Sequence, residues 1–188
     1  MKHILISTVV AGMMAGSAAF AESHSMANPM VGGAEMFASK NIVENAVNSA
    51  DHTTLVAAVK AAGLVDTLAS EGPFTVFAPT NAAFDALPDG TVETLLKPEN
   101  KDTLVKVLTS HVVSGKWTSA DIIAQTKKGK DGFFNFNAVS GDALSAKTTA
   151  SGQVFVFDES GNAWKITTAD VMQSNGVIHV INGVLLPK

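Results

Sequence analysis

The chain has 188 residues, a formal net charge of −4 and no cysteine. Its 13 basic residues are all lysine, so an acidic balance without arginine argues against nucleic acid as a partner and excludes an Arg-Gly-Asp adhesion tripeptide. With no cysteine there is no disulfide, thiolate metal site, cysteine nucleophile or lipidated cysteine, and stability must come from burial of Val, Ile, Leu, Ala and Phe.

The first segment reads as an address rather than as fold. Lys2 and His3 make a thin positive start, Ile4 to Ala19 is apolar, and Ala19-Phe20-Ala21 has the small-x-small form that signal peptidase cuts. Residues 1–21 are expected to leave as a secretory signal peptide, which places the mature chain in a periplasm or outside the cell. The run is short and rich in Gly, Ser and Thr, and no later segment is apolar for long enough to span a bilayer. A soluble product without a membrane anchor is therefore expected. Residues 22–38 carry Ser, Asn, Pro and Gly-Gly without an apolar period, so a flexible tail is expected there, followed by one domain over 39–188.

Ile42, Val43, Ala46 and Val47 share one helical face, and Leu55, Val56, Val59 and Ala62 repeat the spacing. Thr53 or Asp51 is the expected cap of that second helix and Gly63 its stop. Leu64, Val65 and Leu68 add a turn or two. Phe74 to Ala78 alternates as a strand and breaks at Pro79, after which Thr80 or Asn81 can cap a short helix ended by Pro88-Asp89-Gly90. Another helical turn spans Thr91 to Leu96. Pro98 suits a first helical position, and Leu104, Val105, Leu108 and Val112 form the next stripe. A short helix over Ser119 to Ala124 follows Trp117. From Phe133 the pattern becomes β, with runs at Phe134 and Phe136, Val154 to Phe157, Trp164 to Met172 and Val177 to Leu186, and with turns at Gly141, Gly152, Gly161 and Asn175-Gly176. Helices first and strands second imply an α+β fold rather than alternating βαβ units.

Two segments stand out. Gly72 to Phe84, GPFTVFAPTNAAF, is an apolar strand ending in proline with a polar pair capping the helix of Phe84. Ser174 to Pro187, SNGVIHVINGVLLP, is a turn feeding a core strand with a bulge or tight bend at Asn182-Gly183. Between them lies Leu108 to Gly115, LTSHVVSG. In this order the three resemble the two signature boxes and the central Tyr-His segment of the fasciclin domain, over roughly Ser39 to Lys188. The resemblance implies a β-sandwich wedge with helices packed on one side, and a non-enzymatic, extracellular or periplasmic protein associated with cell adhesion. Ser110 stands where the family commonly has tyrosine, and Asn182 where aspartate is common. Asp170-Val171-Met172 resembles the Asp-Ile-Met stretch linked in animal members to integrin contact. The implied partner is a cell-surface or extracellular protein or glycan, met by Ser110, His111, Asp170, Val171 and Met172 as an exposed face.

No Gly-x-Ser-x-Gly elbow, His-Glu-x-x-His or phosphate-binding loop occurs, so no enzyme and no cofactor are expected. His111 and His179 could form a metal or acid–base pair, or could each hydrogen-bond within the fold, His179 on a strand face with Val177 and Ile181. Lys127-Lys128-Gly129-Lys130 reads as a solvated loop. An alternative function is carriage of a small ligand. After cleavage at Ala21 the chain would begin Glu22-Ser23-His24, whose amine, amides and imidazole can hold Cu(II) or Ni(II) in a square plane, with Met26, Met30 and Met36 nearby as thioethers for Cu(I). Phe133, Phe134 and Phe136 could instead line an apolar ligand site or simply form core.

Overall fold

A computed structural model describes residues 28–188. The apolar, alternating strand β3 (Phe74–Pro79) lies parallel to β9 (Gly176–Ile181), with Phe77 opposite His179. Alternate side chains of this pair point to opposite faces, and each face has its own core. Val76, Ala78, Ile178 and Val180 face the helices. Phe77, Ile181 and Val113 face the other half of the sheet, where Phe134, Phe136, Leu144, Ala146 and Val156 meet them. The two signature-like segments are thus packed side by side in the interior.

The remaining strands are β4 (Val112–Ser114), β5 (Phe133–Asn137), β6 (Ala143–Thr148), β7 (Val154–Phe157) and β8 (Ala163–Gln173). All seven make one continuous sheet in the order β4-β3-β9-β8-β7-β6-β5. The expected two-sheet sandwich arises from bending this sheet along β8. The first residues of β8 pair with β7, the later ones with β9, and the register shifts between Ile166 and Thr168 and between Thr168 and Val171. Such irregularities turn a strand. The folded halves meet again where the Val139 N–H donates to the Val112 carbonyl at 2.7 Å.

Helices α1 (Ile42–Ala46), α2 (Thr53–Ala62), α3 (Val65–Ala69), α4 (Asn81–Asp85), α5 (Thr91–Leu95) and α6 (Lys101–Thr109) contribute the first core. The last helix, α7 (Ser119–Lys128), instead buries Ile122 against the second core. Asn41 caps α1 in a capping box with Glu44, and Thr118 does the same for α7 with Asp121. Thr80 caps α4 as expected.

Several elements differ from their sequence pattern. The cap of α2 comes from neither Thr53 nor Asp51: Asn81 Oδ1 accepts the Thr54 N–H at 3.1 Å, and Asn81 Nδ2 donates to the Ala50 carbonyl at 2.8 Å. The α6 stripe stops at Thr109, and Val112 belongs to β4. Helix α7 runs four residues beyond Ala124. Strand β6 has no apolar run to announce it, because its sequence ALSAKT buries only Leu144 and Ala146. β9 ends at Ile181, and Val184 and Leu185 continue as buried irregular chain. Within the segment expected as tail, residues 30–35 form a hairpin of β1 (Met30–Val31) and β2 (Ala34–Glu35), and Val31 and Met36 enter the first core. Two apolar anchors suffice to dock it, too few to create a period. The expected signal peptide lies outside the described residues.

Gly176 is required where β9 begins beside β3, since a Cβ there would overlap the Phe74 carbonyl. Gly176→Ala is therefore expected to destabilise the protein by about 2–3 kcal/mol, measured as a lower urea midpoint with native circular dichroism retained in buffer.

Candidate functional site

Helix α6 delivers Ser110 and His111 into the interior. Both are buried, at 1% and 2% exposure. Ser110 Oγ donates to the Lys106 carbonyl or to Asp142 Oδ2, each at 2.7 Å, and Ser140 Oγ donates to the same carboxylate oxygen at 2.6 Å. Lys106 Nζ lies 3.7 Å from Asp142 Oδ1. Burial opposes the charge on Asp142, but the two hydroxyls and the lysine outweigh it and hold its carboxyl below the ordinary value. His111 spans three elements: Nδ1–H donates to the Val107 carbonyl at 2.8 Å, and Nε2 accepts the Leu185 N–H at 2.8 Å. It ties α6 and β4 to the carboxyl-terminal segment.

His179 plays the matching part on β9. It shares the inner face with Val177 and Ile181, as its spacing implies, and stacks on Phe77 with ring centroids 5.8 Å apart. Its Nε2–H donates to the Trp117 carbonyl at 2.8 Å, and Nδ1 accepts the Asp170 N–H at 3.3 Å. Asp170 sits in the β8 irregularity with a left-handed backbone (φ 58°) that Asp tolerates better than most residues. Its carboxylate accepts the Ser119 N–H at 2.7 Å and the Ser119 hydroxyl. The bulge is thereby fastened to β9 on one side and to the start of α7 on the other.

These positions correct the expected exposed face. Ser110, His111 and Val171 (1% exposed) are sealed in the interior and cannot touch a partner, because their polar atoms or packing faces are already used within the fold. Asp170 and Met172 are half-buried, and Thr167 and Ala169 beside them are exposed. The structure does not bring the two patches together either: Ser110 and His111 join Asp142 and Leu185, whereas Asp170 joins Ser119 and His179. The two histidines are neither a metal pair nor an acid–base pair, since both nitrogens of each ring are occupied by the backbone. Among the described residues no three His, Asp or Glu side chains gather as a metal site. Glu22, Ser23, His24 and Met26 lie outside the described residues, and Met30 is 62% exposed on β1. The Phe cluster holds no ligand space: Phe134 and Phe136 pack on Trp117 and Phe77 without free volume, and Phe133 lies against Phe157 under Lys147.

The sequence pattern did not single out Asp142, Ser140 or the asparagines that staple helices to sheet. Asn175 Oδ1 accepts the Ile42 N–H at 3.0 Å while its Nδ2 donates to the Leu68 and Ser70 carbonyls, and Asn45 donates to Gln173 Oε1. Asn175 sits beside a turn glycine, where asparagine already had a local explanation. Nothing local marks Asp142.

The fasciclin domain model matches residues 50–187. Protein sll1483 of Synechocystis sp. is 54% identical over 146 residues, covering 78% of this chain and 73% of that one. Immunogenic protein MPB70 of Mycobacterium bovis is 36% identical over 154 residues, covering 76% and 66%. Among solved structures, the FAS1 domain pair of the insect cell adhesion molecule fasciclin I superposes with a TM-score of 0.69 at 17% identity, over 78% of this chain and 51% of that one.

Burial, the larger influence, lowers His111 from 6.5 to about 4 against the opposing effects of Val107 and the Asp158 charge, and it lowers His179 likewise. The unfolded chain therefore binds more protons than the folded one between pH 6.5 and 4. Stability is complete above 6.5 and falls as pH drops through that window, with His111 alone accounting for about 3 kcal/mol by pH 4. Urea midpoints from pH 7.5 to 4.5 should show this decline, and His111→Gln should start lower and flatten the slope.

Proposed function

Because the chain belongs to the fasciclin domain family, we propose that it is a non-enzymatic, exported interaction module that contacts a cell-surface or extracellular protein. Its contact face is the β8 irregularity, where Thr167 and Ala169 are exposed and Asp170 and Met172 half-buried. The observation that carries this reading is the double fastening of Asp170, to His179 and to Ser119. A surface loop held on two sides loses little freedom on binding, and such preorganisation favours affinity.

Three further points support it. A solved relative in fold is a cell adhesion molecule by name. Among the described residues no helix is long and apolar enough to cross a membrane. The amino-terminal pattern of Lys2, the apolar run and Ala19-Phe20-Ala21 favours export to a periplasm or beyond.

The test is capture of partners from a cell-surface extract by the full chain and by the pair Ala169→Lys with Met172→Lys. Capture of a protein by the wild type, reduced at least about tenfold by the pair, is the expected result, since a buried interfacial charge without a partner costs more than a tenfold change. An identical set from both proteins rejects this face. Ser110→Ala serves as the contrast: it should lower stability by about 1–2 kcal/mol through the Asp142 network and leave capture unchanged.

A further inference from the structure

On the helix side of β3 and β9 the first core encloses a cavity of about 80 Å³. Leu55, Val59, Leu68, Val76 and Ile178 form its walls. His52, in the turn before α2, lines it as well and is only 4% exposed. Its Nδ1 lies 2.8 Å from Ser49 Oγ, while its Nε2 has no hydrogen-bond partner; the Ala78 carbonyl is near but outside bonding geometry. The other buried imidazole of this wall, His111, has both nitrogens occupied.

An unpaired polar atom in an apolar enclosure is costly to the free protein, and a buried polar group normally finds a partner. With the Ser49 hydroxyl donating to His52 Nδ1, the ring proton sits on Nε2, which makes no hydrogen bond. We propose that this cavity binds a short aliphatic molecule bearing one uncharged oxygen. The chain lies among Leu55, Leu68 and Ile178, and the oxygen accepts the His52 Nε2 proton. The size follows from volume: a cavity of roughly 150 Å³ admits the six carbons of benzene, so half of that takes about three non-hydrogen atoms, as in ethanol. The charge follows from the walls, because an isolated carboxylate among apolar side chains would be strongly disfavoured. Lys60 lines the cavity from an exposed position, so the site is within reach of solvent.

The probes are ethanol, acetate and xenon, added to the isotope-labelled full chain and followed by methyl and imidazole nuclear magnetic resonance. Ethanol should shift the Leu55, Val76 and Ile178 methyls together with the His52 Nε2 signal. His52→Phe, which keeps a ring of similar shape, should bind ethanol about five- to tenfold more weakly, the size of one neutral hydrogen bond, and bind xenon as the wild type does. Equal ethanol affinity in the variant, or methyl shifts without a response at His52 Nε2, overturns the proposal. Tighter binding of acetate than of ethanol overturns it too, assigning the site to Lys60 and a charged head. No methyl shift with ethanol or xenon overturns it as well, because the cavity then takes no ligand. Should His52→Phe fail to fold, the Nε2 response of the wild type decides.

Discussion

The parallel contact between β3 and β9 is the constraint on which everything else rests. Its two strands come from opposite ends of the domain, and both of their faces are buried. A pair buried on two sides has no room for exposed polar residues, which is why both strands are apolar on either face apart from the buried Thr75 and His179. One face gathers the helices and the other gathers the second half of the sheet. Losing the register of this pair would exchange the residues facing the two cores.

Polar side chains inside this frame act as fasteners. His111 and His179 each use one nitrogen as donor and one as acceptor, always toward backbone groups. An isolated imidazole in an apolar interior would be a burden; one with both nitrogens occupied fixes the relative placement of three chain segments. The same logic explains Asn175, Asn81 and Asp142. The consequence for function is indirect. The residues that look most distinctive build a rigid mount, and the proposed contact with a partner is left to the side chains displayed around the β8 irregularity.

Much of the local structure was readable from the chain. Apolar spacing located α1, α2, α3 and α6, prolines and glycines located their ends, alternation located β3, and strand-like runs between turn residues located β7, β8 and β9. The failures share a physical cause. β6 carries small and polar residues because a neighbouring strand and α7 do the covering, so its burial leaves little hydrophobic signature. The cap of α2 comes from Asn81, well outside the helix, and no local pattern could assign it. The hairpin before α1 docks through Val31 and Met36 alone. The resemblance carried by three segments identified the family, but it did not separate residues that support the fold from residues that meet a partner.

Sequence by itself determined the α+β class, the absence of disulfides and the order of the main elements. These follow from composition and short-range periodicity, which depend only on neighbours along the chain. Tertiary structure alone decided that Ser110, His111 and Val171 face inward, that Asp142 serves Ser110, and that a void with an unpartnered His52 lies beneath the helices. Burial and hydrogen-bond partnership are properties of what packs against a residue, and here the packing partner arrives from a distant part of the chain.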